Sequence, residues 1–402
     1  MSRALLICET APGTSGGSQR YHLQIARGMA SLGIEVHALY ASAVRADEPV
    51  LLECTASRTG PFDSDDGLLA RRARQVKALL ARRCSLRGAS DSERMRAAVL
   101  TALDRVQPDL VVVSHLRVGG FVNMLRECGS RTRIMFASHN CETDVRRLYA
   151  RWGRFVDRSF ARLDLPKVRD FERSVIQAAD VVTAISWRDA RIIEHMFGVR
   201  VAAVLPPCLW DPPEVDWADR ARAVAQPKLL HCGTFCYRAK AMNLEWFLDQ
   251  VYPQVLRRVP AAQMVIVGPG ASWRMRRAAG AQSGVSVLGW VDDLDAQYAG
   301  SGVFVLPTLV GGGFELKTLE AAAHGCALVG TSIPLEAAGL QDGVHCLLGD
   351  TPAQLADALA RILTDPDMAL RLARAANGFV RETYCWDSFR QQLGSVLLPS
   401  AE

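Results

Sequence analysis

A glycine-rich stretch in the last third of the chain combines residue types that can hold a phosphate group. Gly311, Gly312 and Gly313 follow the apolar run 303–307, which predicts a buried strand, and precede a helix that opens near Glu315. A glycine loop before a helix start exposes backbone N–H groups, and the helix dipole adds partial positive charge there. Glu320, further along that helix, offers a carboxylate to sugar hydroxyls. The stretch therefore predicts a nucleotide-sugar site.

Two features of the first half could serve the same ligand. Gly16 and Gly17 precede the first predicted helix, where backbone N–H groups can meet a phosphate; the alternative is a plain turn. His139 follows a buried strand, and the ends of parallel strands face the ligand side of such sheets. The alternative interpretation of His139 is a hydrogen-bonded core histidine. His115 has the same strand-end placement, with both interpretations open.

The charge of the chain is unevenly distributed. Residues 1–200 carry 31 Lys and Arg against 22 Asp and Glu, whereas residues 201–402 carry 16 against 20. The basic half could face an anionic membrane surface or an acidic partner, or it could be an arginine-rich solvated surface. The basic helices carry no nucleic-acid motif, which argues against a polynucleotide partner.

The cysteines and the hydropathy predict a cytoplasmic protein. Eleven cysteines are scattered without a CxxC pair, which is typical of reduced, buried packing residues. The chain enters a strand at Ala4 without a signal-like segment, and no apolar run approaches the ~20 residues that span a bilayer. Peripheral contact with the inner membrane face is the alternative that the basic half leaves open.

The order of elements predicts two α/β domains. Continuous apolar strands alternate with helices, which indicates parallel sheets covered on both faces. A basic helix is predicted over about 145–177, another over 71–87, and a helix over 243–259. The predicted organisation is a first domain at 1–205 with a variable insertion at 41–97, a proline-rich linker at 206–227, a second domain at 228–382, and a C-terminal segment at 383–402.

The chain resembles the GT-B glycosyltransferases of family 4, which are retaining enzymes that use nucleotide-activated sugars. The resemblance covers nearly the whole chain apart from 41–97. It rests on five motifs in order, which are Gly16-Gly17, Ser138-His139-Asn140, Gly233-Thr234-Phe235 with Arg238 and Lys240, Gly289-Trp290-Val291-Asp292-Asp293-Leu294, and the glycine loop before Glu320. Trp386 fits a family in which the last helix crosses back onto the first domain.

The resemblance implies an α/β GT-B fold, with two Rossmann-like doubly wound domains facing a cleft. It implies that His139, Arg238 and Lys240 act in catalysis, with the two cations stabilising the departing diphosphate. The residues it implies for the donor are Gly16, Gly17, Thr234, Val291, Gly313, Phe314, Glu315, Leu316, Lys317 and Glu320.

One position departs from the family pattern. Glu320 resembles the second Glu of a paired-glutamate motif, but the first falls at Gly312. Glu315 could substitute for it, or it could be a helix-start acid favoured by the dipole. We interpret the change as altered donor handling.

The expected reaction transfers a sugar from a UDP- or GDP-linked donor to a hydroxyl in polysaccharide, glycolipid or natural-product biosynthesis. The resemblance implies neither metal nor cofactor. Front-face attack, with the leaving phosphate accepting the proton, agrees with the lack of an evident nucleophile. The alternatives are an epimerase-type or phosphorylase-type GT-B enzyme and a non-catalytic sugar-nucleotide-binding scaffold.

Overall fold

The computed structural model describes residues 2–13, 16–40, 52–55, 84–87 and 93–397. The chain divides into two compact units. Unit 1 comprises residues 1–208 and 387–402, and unit 2 comprises residues 209–386. Each unit is built around its own parallel sheet.

Unit 1 contains a seven-stranded sheet with the order β3-β2-β1-β4-β5-β6-β7. Its strands are β1 Arg3–Cys8, β2 Glu35–Tyr40, β3 Leu52–Thr55, β4 Leu110–Ser114, β5 Arg133–Ser138, β6 Val181–Ala184 and β7 Ala203–Val204. The order reverses between β1 and β4, where Cys8 pairs with Ser114 at the carboxyl edge. Ligands of doubly wound sheets bind at this kind of switch point.

Helices cover both faces of this sheet because successive interior residues of its central strands are apolar, so that both faces need cover. Leu5, Ile7, Val111, Val113, Ile134 and Phe136 share one wholly buried core. The helices of unit 1 before the C-terminal segment are α1 Gly17–Ser31, α2 Glu93–Val106, α3 Gly120–Glu127, α4 Glu142–Trp152, α5 Phe155–Ala178 and α6 Trp187–Phe197, with a short 3₁₀ turn at Leu116–Val118.

Unit 2 contains a six-stranded sheet with the order β10-β9-β8-β11-β12-β13. Its strands are β8 Lys228–Cys232, β9 Gln263–Val267, β10 Val285–Gly289, β11 Val303–Leu306, β12 Ala327–Gly330 and β13 Cys346–Leu348. Its helices are α7 Trp217–Val224, α8 Arg238–Trp246, α9 Tyr252–Arg258, α10 Trp273–Gly280, α11 Leu294–Ala299, α12 Leu316–Ala323, α13 Ser332–Ala337, α14 Pro352–Thr364 and α15 Pro366–Thr383. The switch point lies between β8 and β11. The two doubly wound α/β units confirm the predicted fold class.

The helix predicted over 243–259 was wrong at its start. Helix α8 begins at Arg238, and a π-helical turn at Phe247–Val251 joins it to α9. The start carries no sequence signal, because its cap residue Tyr237 makes no side-chain hydrogen bond to the helix. As a result, Arg238 and Lys240 lie in the first turn of a helix.

The single basic helix predicted over 145–177 is two helices, α4 and α5, which pack against each other. They are separated at Gly153, whose N–H donates to the Tyr149 carbonyl at 2.9 Å. A Cβ at Gly153 would lie 2.4 Å from that carbonyl oxygen, so only glycine allows so close a turn.

Two other predicted segments differ from the structure. Helix α7 lies inside the predicted linker, where Arg220 donates to the carbonyls of Tyr298 and Ser301 and joins α7 to unit 2. The end of the helix predicted over 71–87 is a turn at 84–87, and its remainder lies outside the described residues. Most of the predicted insertion at 41–97 also lies outside them.

The C-terminal helix, α16 Trp386–Leu397, packs on unit 1. A Cβ at Gly28 would lie 2.6 Å from a Leu393 methyl group, so α1 approaches α16 closely at this glycine. Arg133 donates to the carbonyls of Val396 and Leu397. In the part of the chain that the structure describes, no helix has the length and apolarity needed to cross a membrane.

Candidate active site

The glycine loop of unit 2 is held by side chains that surround the end of β11. Asn243 accepts from the N–H groups of Leu309 and Val310 at 3.2 and 3.0 Å, and donates to the Val310 carbonyl. Thr331 accepts from the Thr308 N–H and donates to its carbonyl. Gly313, at the end of the loop, has φ +67°, a conformation that favours glycine. The loop therefore enters α12 with a fixed backbone.

A charged cluster lies at the start of α12, where the sequence predicted that a helix opens near Glu315. Glu315 is the N-cap residue. Its carboxylate accepts from the Thr308 hydroxyl at 2.6 Å and lies 3.0 Å from the Lys317 ammonium. Burial would raise the pKa of Glu315, but Lys317 and Thr308 outweigh burial and hold that pKa below its usual range. Glu315 is thus ionised and bound to protein groups through both oxygens.

His231 on β8 is the third member of this cluster. Its Nδ1 lies 2.8 Å from the Val305 carbonyl, which requires a proton on Nδ1. Its Nε2 lies 3.4 Å from the Lys317 Nζ and can accept from it. Burial, followed by the Lys317 charge, lowers the pKa of His231 to about 3. A neutral imidazole therefore supports the lysine without competing as a cation.

Lys240 lies close enough to this cluster to respond to its charges. Burial lowers the pKa of Lys240, and the Lys317 ammonium lowers it further, whereas Glu315 raises it. Its Nζ also lies 5.3 Å from the centre of the exposed Tyr237 ring. Two lysines and one carboxylate leave this group with an excess of positive charge.

Glu320 lies one turn further along α12. The Tyr298 hydroxyl donates to its carboxylate at 3.4 Å. His324, which stacks on Tyr298, contacts the Glu320 carbonyl through Nδ1 and the Asp295 carboxylate through Nε2. These contacts hold the turn of α12 that carries Glu320.

The remaining predicted donor residues of unit 2 occupy several places. Phe314 packs edge-on against Tyr384, and Val291 packs partly buried on the same core. Leu316 is the first residue of α12, and Thr234 follows β8. Asp293, in the fourth motif, caps α11, because its carboxylate accepts from the Ala296 N–H.

In unit 1, His139 lies inside a cluster of rings. It is 7% exposed, and its ring centre lies 4.8 Å from Tyr21, 5.1 Å from His22 and 5.0 Å from His115. The His139 Nε2 lies 2.8 Å from the Ser114 hydroxyl. Burial, with the neighbouring imidazoles, holds the pKa of His139 well below its usual range.

His115 has an unusual backbone at the end of β4. Its φ is +87°, which is costly for a residue with a Cβ. Its Nδ1 accepts from the Arg117 N–H at 3.1 Å, and its Nε2 lies 3.8 Å from the Glu142 carboxylate. The strain is compatible with a role at the site, as such conformations cluster at functional positions.

The turn that carries His139 is fixed by buried carboxylates. Glu172 on α5 accepts from the N–H groups of Glu142 and Thr143 at the start of α4, and burial raises its pKa to about 7. Asp189 accepts from the Cys141 N–H at 2.8 Å. Gly16 and Gly17 lie at the start of α1, with Gly16 as the cap and no acidic residue in the first turn.

Sequence reasoning missed His231, Thr308 and Asn243 in unit 2 and Ser114 and His22 in unit 1. A histidine within the apolar run Lys228–Cys232 was a signal that could have been weighed. Asn243 offered none, since its partners lie more than sixty residues away. Among the described residues, no group of three or more His, Cys, Asp or Glu side chains is arranged to hold a metal ion. Metal independence stays a prediction.

Comparisons with known proteins give matches to both halves of the chain. The family described as "Glycosyltransferase Family 4" matches residues 15–209, and "Glycosyl transferases group 1" matches residues 226–365. Together the two matches span most of the chain. The chain is a GT-B glycosyltransferase of family 4.

Two curated relatives from Mycobacterium tuberculosis resemble parts of this glycosyltransferase. A phosphatidyl-myo-inositol mannosyltransferase is 32% identical over 193 residues, covering 45% of this chain and 50% of the relative. A GDP-mannose-dependent alpha-(1-6)-phosphatidylinositol monomannoside mannosyltransferase is 28% identical over 251 residues, covering 58% of this chain and 65% of the relative. The chain thus spans about half to two thirds of the length of these relatives.

Solved structures share the fold of this glycosyltransferase over its whole length. Sucrose-phosphate synthase from Thermosynechococcus elongatus has a TM-score of 0.73 at 17% identity and covers 98% of both chains. HepE from Anabaena, in complex with UDP and glucose, has a TM-score of 0.64 at 13% identity, covering 98% of this chain and 99% of HepE. At these identities the likeness shows the fold alone.

Proposed function

We propose that this glycosyltransferase moves a sugar from a nucleoside diphosphate sugar to an acceptor hydroxyl, with retention at the anomeric carbon and without a metal ion. The observation that carries the proposal is the cluster of Lys317, Glu315, Lys240 and His231 beside the glycine loop. Two ammonium groups and a helix start supply positive charge without a metal ligand set. Departure of a diphosphate requires stabilisation of that kind.

We propose a role for each of these residues. Lys317 and Lys240 bind the diphosphate, with the backbone of Gly313, Phe314 and Leu316, and Arg238 adds a further cation. Glu315 holds Lys317, since both of its carboxylate oxygens are engaged by the protein. Glu320 binds the ribose hydroxyls, with Thr234 and Val291 on the nucleotide side.

In unit 1, we assign neutral His139 to the sugar side of the reaction. Its low pKa makes it a hydrogen-bonding group and not a proton donor at neutral pH. Gly16 and Gly17 supply N–H groups for the phosphate from the start of α1. We also propose that the basic unit 1 contacts an anionic surface near the acceptor, which stays unidentified among polysaccharide, lipid-linked and natural-product classes.

The donor is proposed to be UDP- or GDP-linked. One relative is GDP-mannose-dependent by name, and HepE was solved with UDP and glucose. Gly312 favours a second candidate, a non-catalytic sugar-nucleotide-binding protein, because the carboxylate that the family pattern carries there is missing.

The test is release of nucleotide from a panel of UDP- and GDP-sugars, with and without EDTA, over several acceptor classes. We expect turnover with one nucleotide class that EDTA leaves unchanged and that Glu320→Gln lowers. Glu382→Gln, an exposed carboxylate of unit 2, is the matched control and should leave the rate unchanged. NMR of the product would give its anomeric configuration. Tight binding without turnover on any acceptor would favour the non-catalytic candidate, and loss of turnover in EDTA would contradict metal independence.

A further inference from the structure

The hairpin of α4 and α5 in unit 1 exposes a group of large apolar side chains at its turn. Trp152, at the end of α4, is 44% exposed. Phe155 and Val156, at the start of α5, are 76% and 53% exposed, and Leu163, two turns later, is 60% exposed. Single exposed apolar residues need no explanation, but four between residues 152 and 163 of one hairpin are unusual. We define these four residues as the hairpin patch.

The outer face of α5 continues this patch along the helix. Phe155, Val156, Ser159, Arg162 and Leu163 are spaced by one, three or four residues, which places them on one side of a helix. The opposite side, which includes Ala161, Asp164, Val168 and Phe171, is buried in unit 1. The outer side of α5 therefore has no partner among the described residues, while its inner side is committed to the core.

The sequence around the hairpin patch is rich in cations. Residues 145–169 contain seven arginines and one lysine against two aspartates. One of those aspartates, Asp164, is buried and paired with Arg146 at 3.0 Å. Arg147, Arg151 and Arg162 are exposed, and the Arg151 guanidinium lies 4.8 Å from the centre of the Trp152 ring.

We propose that this hairpin docks the protein on an anionic lipid surface, with the hairpin patch inserted at the headgroup boundary and the arginines bound to phosphate. Tryptophan and phenylalanine beside arginines are the composition of helices that lie in a membrane interface. Anionic headgroups complement the charge, and insertion covers the apolar face. The inference rests on the membrane contact proposed above and on no part of the transfer chemistry.

The turn geometry suits this role. Gly153 allows α4 to reverse within two residues, so that Trp152 and Phe155 lie at the same tip. The hairpin is also fixed to unit 1, because Glu172 of α5 accepts from the start of α4 and Asp164 of α5 accepts from Ser85 in the turn at 84–87. Docking would therefore orient the whole of unit 1 on the surface.

The experiment is co-sedimentation of the full-length protein with phosphatidylcholine vesicles that do or do not contain phosphatidylglycerol, in the absence of any donor. We expect binding only to the anionic vesicles, weakened by raising the salt from about 0.1 to about 0.5 M. The double variant W152S/F155S should lower the partition constant about ten-fold or more, since it removes the inserted side chains. R151E/R162E should lower it comparably on anionic vesicles.

Matched controls separate the hairpin from general surface properties. L100S/W273S removes two side chains that are 46% and 66% exposed elsewhere, and R96E/R257E makes the same charge change on other helices. Both controls should bind vesicles like the wild type. Circular dichroism and nucleotide release in solution report folding and transfer independently, so a failure of docking and a failure of the proposed reaction are distinguishable.

Three results would overturn the inference. The first is no preference of the wild type for anionic vesicles. The second is equal loss of binding in the control variants. The third is a self-association of the wild type, measured by analytical ultracentrifugation, that W152S/F155S abolishes without any vesicle binding, which would assign the hairpin patch to contact between copies of the chain.

Discussion

The two sheets share a strand order, but different kinds of side chain lie at their carboxyl edges. At the carboxyl edge of unit 1, His139 lies among Tyr21, His22 and His115. At the carboxyl edge of unit 2, His231 contacts Lys317, which is ion-paired with Glu315. Both histidines are buried and neutral, but only the second supports a cation. A common fold thus carries a cluster of uncharged rings in one unit and an ion pair beside a second lysine in the other.

The difference arises from where each histidine lies relative to the strand end. His231 is within β8, so its ring is fixed by the neighbouring β11 carbonyl and points its other nitrogen at the glycine-loop helix. His139 comes after β5, where its ring contacts other rings and Ser114. His231, inside the strand, therefore contacts a charged residue of the glycine-loop helix, whereas His139, past the strand end, contacts only uncharged rings and a hydroxyl.

The largest effect is expected from removing the Lys317 ammonium group of unit 2. Lys317→Met should lower the rate of sugar transfer about 10²–10³-fold, because the departing diphosphate loses a preorganised charge. Lys317→Arg keeps the charge and should recover part of the rate. Steady-state kinetics with the best donor would measure both. A Lys317→Met rate within a few-fold of the wild type would contradict the proposal that the charged group of unit 2 stabilises the departing diphosphate.

A smaller effect is expected from the buried imidazoles on acidification. The folded pKa of His22 and of His231 is about 3, below the ~6.5 of an unfolded histidine. The unfolded chain therefore takes up protons that the folded chain does not, so each histidine's contribution is unchanged above pH 6.5 and becomes destabilising as the pH falls toward 3. From pH 6.5 to 5, each should cost about 2 kcal/mol of unfolding free energy.

Substitution tests this in each unit separately. His22→Gln and His231→Gln should each reduce the loss of stability between pH 6.5 and 5, measured by urea unfolding, whereas His195→Gln on an exposed face of α6 should not. An acid sensitivity that neither substitution changes would show that these imidazoles titrate alike in folded and unfolded chains.

The smallest effect is expected at Ser114. Ser114→Ala removes the 2.8 Å hydrogen bond to the His139 Nε2 and should cost about 1 kcal/mol of stability. The same loss of ring orientation should lower transfer only several-fold, because no cation is displaced. Kinetics and thermal unfolding of the variant would measure the two effects. A loss of transfer rate as large as that of Lys317→Met would contradict the expectation that the ring cluster of unit 1 contributes less to the reaction than the charged group of unit 2.

The sequence predicted features that depend on local pattern. Continuous apolar runs such as Val303–Leu306 predicted the parallel sheets, and the glycine loop predicted the start of α12. The start of α8 was missed because Tyr237 provides no side-chain cap, and the break at Gly153 was missed because its requirement is a close approach to Tyr149.

The residues that hold the candidate site together could not be predicted from the sequence, for a different reason. His231 acts through Val305, 74 residues away, and through Lys317, 86 residues away. No spacing along the chain indicates such pairs. The candidate residues Glu315, Lys317 and Lys240 were found from charge and position, and the structure adds that they form one electrostatic group.

The most direct test of the central claim is a calorimetric titration with UDP and GDP against UMP and GMP, in the wild type and in Lys317→Met. The account predicts that the wild type binds one diphosphate much more tightly than its monophosphate, and that Lys317→Met binds the two alike, because Lys317 is proposed to bind the diphosphate. A preference for the diphosphate that survives Lys317→Met unchanged would contradict the account.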